Sequence, residues 1–393
     1  MRKGLVKSGL VSAAMLFTIT GLSGCMSLED DKNRETSDVS QVLYEDTPEN
    51  LPEHIAYKVT DDISVDAEIH FPDSYKQYAI PNIQLRRHLF EVKDVVDQWG
   101  NYCNETWKGK EKVSDDLLEN GEPLQSLNAT YANGGRCHTR SSYFSYCGNY
   151  LEKGISLIGQ PNYQTRNGLE YATNEDLSFA TVQEAEQQIR DMMENLGIQN
   201  VLEERTQYTA TMEGLQKAAD AYGDQYQSYM SDTCGVENTK IEKKDELYQF
   251  IFSQGYDGIP YLEYPVAEEE SGTIYSYSYG NIDVWYGQKG IDFFETMGVF
   301  DFVKKEETAQ TLLAPGKILD LFFDEKQQQL DNEKLKVIAI KLEYLPKLKD
   351  GQTLLFEAVP VWCILYEETP EDFDTAVRCA VYEAVDGREC EGL

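Results

Sequence analysis

The chain is short of histidine and of basic side chains. Among 393 residues there are four histidines (His54, His70, His88 and His138), and 35 lysines and arginines stand against 69 aspartates and glutamates, for a formal charge of −34. No H-E-x-x-H pair occurs, so the common zinc-hydrolase ligand set is missing. The eight cysteines include no C-x-x-C pair, which argues against zinc ribbons and thioredoxin-like motifs. G-x-S-x-G, G-x-G-x-x-G and Walker A runs are absent as well, leaving nucleophile-elbow, dinucleotide and P-loop chemistry without support. The acidic pairs and triplets, such as Asp61-Asp62 and Glu268-Glu269-Glu270, lack calcium-loop spacing and read as solvated surface. With 69 acids, any chosen carboxylate pair for glycoside hydrolysis carries no information. No cofactor and no metal site is expected. The shortage of cations argues against nucleic acid as a partner. It also argues against a body lying flat on an anionic bilayer.

Long apolar runs are scarce too, and the single exception is at the N terminus. Arg2, Lys3 and Lys7 precede an apolar stretch running from Leu10 to Ile19, and Ser23 and Gly24 are small. This is the layout of an export signal. A membrane-spanning helix needs about 20 apolar residues, and Gly21 to Gly24 ends the run before that. The run closes as Leu22-Ser23-Gly24-Cys25, which resembles the lipobox of bacterial lipoproteins. The resemblance implies cleavage between Gly24 and Cys25 and a diacylglyceryl group on Cys25. Two acyl chains make a stable anchor where one binds only marginally. The expected location is the extracytoplasmic face of the cell membrane, with the lipid bilayer as a partner. Loss of the three N-terminal cations would take the formal charge to about −37.

Four segments follow: a signal over 1–24, a disordered acidic tether over 25–54, an N-terminal domain over 55–242 and a C-terminal domain over 243–393. The run from Leu28 to Asp38 is polar and non-periodic, and Pro48 and Pro52 come after it. As a flexible coil such a tether reaches roughly 30 Å. Ile55–Val59 and Ser64–Phe71 alternate apolar and polar residues and read as strands joined across Thr60-Asp61-Asp62. Val92, Val95, Val96 and Trp99 share one face of a helix. Leu169 to Phe179 reads as strand. Thr181 with Glu184 makes a capping-box start for a helix ending at Gly197, and Met212–Tyr222 is another helix. Strands are expected at Leu247–Phe252, Ile259–Tyr264, Ile274–Tyr279, Ile282–Tyr286, Leu335–Leu345, Leu354–Tyr366 and Ala376–Val385. A helix over Thr308–Phe323 is interrupted or restarted by Pro315. The order suggests an α+β fold, with helices packed on antiparallel sheets.

With Cys25 lipidated, Cys103, Cys137, Cys147, Cys234, Cys363, Cys379 and Cys390 remain. Cys137–Cys147 would close a short loop; alternatively all seven are buried small hydrophobes. Arg136-Cys137-His138 places a thiol beside a base, although neighbours in sequence seldom point at one spot. Tyr275, Tyr277 and Tyr279 share one face of a strand, with Trp285 and Tyr286 near them. This set is either an aromatic platform for a sugar or peptide or a cross-strand ladder over a core.

Four pieces of the C-terminal part resemble PepSY-type and YycH/YycI-type extracellular regulatory proteins: Asp245–Pro260, Ala339–Tyr344, Val359-Pro360-Val361-Trp362 and Val381–Glu389. The resemblance, over about residues 245–390, implies a cystatin-like sheet-and-helix fold and a binding or regulatory role. The whole chain is also similar to a clostridial-type lipoprotein family. The expected function is thus a non-catalytic binding or regulatory module, lipid-anchored through Cys25, that contacts another envelope protein or peptide. The alternatives are a glycan- or solute-binding lipoprotein using Tyr275, Tyr277, Tyr279 and Trp285, and an envelope hydrolase.

Overall fold

Strict alternation sets the first hairpin. β1 (His54–Lys58) and β2 (Ile63–His70) pair antiparallel and bury Ile55, Ile63, Val65 and Ala67 on one face. The turn is held by the Thr60 hydroxyl, which accepts from the amides of Asp62 (3.2 Å) and Ile63 (3.0 Å). β3 (Ala79–Arg87) follows. The computed structural model describes residues 43–45, 47–117, 123–148, 171–233, 238–262, 279–329, 333–349, 354–369 and 376–390.

After β3 the chain leaves this sheet and builds a second one. Helix α1 (Val92–Cys103) buries Val92, Val95, Val96 and Trp99 and ends on Asn104 in the left-handed region, φ 53°. Four antiparallel strands come next: β4 (Trp107–Leu117), β5 (Pro123–Tyr131), β6 (Arg136–Arg140) and β7 (Tyr143–Cys147). Helix α2 (Val182–Asn195) starts at Thr181, whose hydroxyl accepts from the Glu184 amide at 3.2 Å while Glu184 accepts from the Thr181 amide at 2.9 Å. Thr181→Ala is expected to cost about 1 kcal/mol, read as a lower urea midpoint with unchanged slope. β8 (Val201–Ala210), α3 (Met212–Tyr222), the short α4 (Asp224–Ser228), β9 (Leu247–Tyr256), β10 (Ile259–Pro260), β11 (Asn281–Gly287) and β12 (Gly290–Met297) complete this unit. Its nine strands run β10-β9-β11-β12-β7-β6-β5-β4, with β8 also on β9.

The chain then returns to where it left. β13 (Phe300–Thr311) pairs with β3, placing Phe300 opposite Arg87, and the His88 amide donates to the Val299 carbonyl at 3.0 Å. Residues 88–299 are therefore an insertion between two neighbouring strands. Pro315 opens helix α5 (Pro315–Gln329), where its missing N–H costs nothing. β14 (Lys334–Leu348), β15 (Leu355–Thr369) and β16 (Ala376–Glu383) form the closing meander. The first sheet runs β1-β2-β14-β15-β3-β13 with β16 also on β15, and β14 joins β2 in parallel. Helix α5 packs Ile318, Leu319, Phe322 and Phe323 into the core of this sheet. Trp362 anchors the same core, its indole N–H donating to the Leu313 carbonyl at 3.0 Å.

Several expectations need correction. The fold is mostly β, with 50% of the described residues in strands and 22% in helices, and not α+β. The region resembling PepSY-type proteins does not close a cystatin-like fold: β9 to β12 belong to one sheet and β13 to β16 to the other. Both sheets take strands from either side of residue 243. Residues 171–179 hold isolated bridges where a strand is expected. Residues 308–311 belong to β13, so the helix starts only at Pro315. The strand expected at Ile274–Tyr279 lies outside the described residues except for Tyr279. Among the described residues, no helix is long and apolar enough to cross a membrane.

Candidate functional site

The inserted sheet has two different faces, and alternation along each strand decides which side chain meets which. On one face Trp99 of α1 packs against Phe144, Tyr146 and Phe294, with ring centroids 5.1, 4.7 and 5.4 Å away. Helix α2 adds Ala185, Ile189, Met192 and Met193 to this core. On the other face, α3 and the residues after it cover only one end, where Leu215, Met230, Leu247 and Trp285 cluster.

Beyond that covered end a polar row crosses the sheet. The register sets Asp283 opposite Glu295, Glu295 opposite Ser145, Ser145 opposite His138, and His138 opposite Asn128. Directly opposed residues share a face with Cβ atoms about 5 Å apart. Asp283 accepts from the Trp285 indole N–H at 3.1 Å and the Gln249 amide at 3.2 Å. Burial pushes its carboxyl up to about 7, with the Glu295 charge adding to the shift and the two donors offsetting part of it. Glu295 accepts from the Tyr143 hydroxyl, and burial raises its carboxyl too. Burial, with Arg140 beside it, holds the His138 imidazole below its ordinary value.

A buried carboxyl titrating near 7 in the folded state and near 3.8 unfolded binds its proton more tightly when folded. Its contribution is therefore full below about pH 4 and lost as pH rises towards 7. Asp283→Asn keeps the acceptor oxygen and removes the charge. It is expected to raise stability at pH 8 by about 1–3 kcal/mol and to change little at pH 4. Thermal melts at the two pH values check this.

The end of the sheet next to α1 holds a cleft of about 750 Å³, within the usual range for small-ligand sites. Tyr102, Tyr146, Tyr286, Asn133, Gln188 and Lys244 line it, and the β11–β12 turn at Gln288-Lys289 forms a rim. Tyr102 is fixed by the Ile291 amide, which donates to its hydroxyl at 3.0 Å. The Cys103 thiol donates to the Tyr146 hydroxyl at 3.8 Å, and burial raises its pKa. Phenol hydroxyls, carboxamides, the carboxylates of Glu105 and Asp292 and the ammonium groups of Lys289 and Lys244, the latter paired with Glu242 at 2.7 Å, surround one hollow and suit a polar ligand or a peptide segment presenting backbone groups. A second hollow, of about 550 Å³, lies where the two sheets meet. Its lining includes Glu343, a buried carboxyl that accepts from the Cys363 thiol at 3.2 Å and is raised by burial.

The residues expected from the sequence fall differently. Gly24, Cys25, Tyr275 and Tyr277 lie outside the described residues. Tyr279 is buried in the first core against Phe300, centroids 5.8 Å apart. Trp285 is buried in the α3 cluster, so these two aromatics belong to separate cores and present no shared outer surface. Cys137 and His138 point to opposite faces of β6. Cys137 joins the core, where burial pushes its thiol up to about 12, and His138 lies in the polar row. Cys137 and Cys147 cannot bridge, because Tyr146, not Cys147, stands opposite Cys137. Among the described residues, Cys103, Cys137, Cys363, Cys379 and Cys390 are free thiols, and Cys234 lies outside the described residues.

The cleft and the polar row are absent from the sequence expectations. Their one local signal is Ile282-Asp283-Val284-Trp285-Tyr286, where alternation puts Asp283 and Trp285 on one face. The pairing with Glu295 and Tyr143 is long-range and leaves no such mark.

No protein-family model matches the chain, and no curated protein does. Among solved structures it is similar to an uncharacterized protein from Eubacterium rectale ATCC 33656, whose crystal structure has a TM-score of 0.66 to this chain at 21% identity, over 90% of this chain and 97% of that one. At that identity the likeness speaks for the shared fold alone.

Proposed function

We propose that this protein is a lipid-anchored extracytoplasmic module that binds a peptide segment of another envelope protein, without catalysing a reaction. The end cleft is the observation that carries the reading. It is large enough for a few residues of peptide, and it is lined by tyrosine hydroxyls, carboxamides, the acids Glu105 and Asp292 and the bases Lys244 and Lys289. Leu22-Ser23-Gly24-Cys25 supplies the anchor, and the polar stretch after it supplies the reach.

The test fills the cleft from its rim. Gln288 is exposed on the β11–β12 turn, so Gln288→Trp puts bulk into the hollow without touching either core. Crosslinking on intact cells should recover one stoichiometric envelope protein with the wild type and at least about tenfold less with the variant. Equal recovery by both, or none by either, contradicts the reading.

A further inference from the structure

The open face of the inserted sheet carries an array of cations that nothing above uses. Lys108, Lys110 and Lys112 of β4 stand opposite Thr130, Asn128 and Ser126 of β5. Those three stand opposite Arg136, His138 and Arg140 of β6. The alternate residues Leu127, Ala129, Tyr131 and Cys137 are buried in the core, so the polar set faces outward as one surface. Lys108, Lys110, Lys112, Arg136 and Arg140 are all exposed.

Charge makes this surface unusual for the chain. Acids outnumber bases about two to one overall. Across residues 107–147, however, five lysines and arginines meet five acids, and four of those acids (Asp115, Asp116, Glu119 and Glu122) fall between Val113 and Pro123, where β4 gives way to β5, while Glu111 pairs with Leu127 on the other face. Among the described residues, none of the five cations is in an ion pair. The first carboxylate met across the row is Glu295, and the Tyr143 hydroxyl already donates to it. Repulsion among unpaired like charges on neighbouring strands is a cost, and a bound polyanion removes it.

Spacing narrows the ligand. Successive lysines on β4 are two residues apart, about 6.8 Å, and β6 runs roughly 10 Å from β4. The cations therefore form two parallel tracks, with the small polar side chains Ser126, Asn128 and Thr130 between them. An extended polymer whose phosphodiesters are separated by short polyol units has charges at comparable intervals. Its oxygens can accept from both tracks and from the residues between.

We propose that the β4–β6 face binds a linear polyol phosphodiester polymer. Nucleic acid fits less well, because single strands are held by aromatic stacking and the two rings at this face, His138 and Tyr143, already pack on each other with centroids 5.8 Å apart. An anionic bilayer fits less well because the whole acidic body would have to approach it, whereas a thin chain reaches the face alone.

The test measures binding of a fluorescent ten-unit poly(glycerol phosphate) to the full chain by anisotropy, across a salt series. Five phosphate contacts predict a slope of log affinity on log salt of about −3.5. The triple variant Lys108→Gln, Lys110→Gln, Lys112→Gln should weaken binding at least about 30-fold at low salt and reduce the slope to about −1.4. Arg140→Gln, on another strand, should weaken it about threefold, and unchanged thermal melts show that both variants are folded. Absence of binding at low salt overturns the proposal, as does binding that the variants leave intact. Equal affinity for polyglutamate or oligothymidylate, or binding only to phosphatidylglycerol vesicles, overturns it as well.

Discussion

Trp99→Ala should destabilise the inserted unit by about 3–5 kcal/mol. Trp99 is fully buried at the centre of the larger core of that unit. Its ring meets four others, those of Tyr102, Phe144, Tyr146 and Phe294. These come from α1 itself, β7 and β12, so one side chain ties the helix to two strands about 150 residues apart in the chain. Removing it leaves a cavity walled by rings that are fixed by the sheets and cannot collapse into it. Tyr131 adds a second constraint, because its hydroxyl donates to the Val96 carbonyl at 2.9 Å and holds the helix at its original height. The unit enters and leaves through neighbouring strands, at Arg87 and Phe300. Its loss of order should therefore precede that of the first sheet. Urea unfolding followed by tryptophan fluorescence should show an early transition in the variant. A single transition at the wild-type midpoint would show that Trp99 does not tie these elements together.

Cys25→Ala should release the protein from the membrane almost completely. Two acyl chains give stable anchoring, whereas one gives only marginal, reversible binding and none gives nothing. For release the apolar stretch Leu10–Ile19 must also be cleaved off, and nothing among the described residues replaces the lipid. The formal charge of −34 keeps the body off anionic headgroups, and among the described residues no helix is apolar and long enough to insert. Cell fractionation should move the variant from the membrane pellet to the soluble fraction or the medium. Retention of the variant in the pellet after a salt wash would point to another anchor.

How much of this could be read from residues alone depends on where each element puts its apolar side chains. β1 and β2 are legible because Ile55, Ile63, Val65 and Ala67 alternate with polar residues over a single buried face. α1, α2 and α3 are legible because their apolar stripes recur at helical spacing and Thr181 and Thr211 cap two of them. β14, β15 and β16 are legible because β-branched and aromatic residues cluster in them, as in Val337–Ile340 and Val359–Tyr366. β4 and β13 are the opposite case: β4 alternates lysine with glycine and glutamate, and β13 carries Lys304, Lys305, Glu306 and Glu307 on an edge. Neither shows an apolar period, and both form because a neighbouring strand offers its hydrogen bonds. Missing such strands is what tilts the reading towards α+β.

The inserted arrangement is hidden for a related reason. Nothing local in Arg87 or Phe300 records that they become neighbours, and the motif pieces between Asp245 and Glu389 carry no mark of belonging to two sheets. The cleft is built from Tyr102, Gln188 and Tyr286, far apart in sequence, so spacing could not assemble it. The basic face was open to discovery, since Lys108, Lys110 and Lys112 are spaced by two. Their meaning depends on Arg136 and Arg140 arriving on the same side two strands away.

The most direct measurement is the intact mass of the chain extracted from membranes of the native host. The account predicts a polypeptide that begins at Cys25 and carries a diacylglyceryl group on that residue, detectable also as incorporated labelled fatty acid. A mature chain with an unmodified Cys25, or one that still retains residues 1–24, would contradict it.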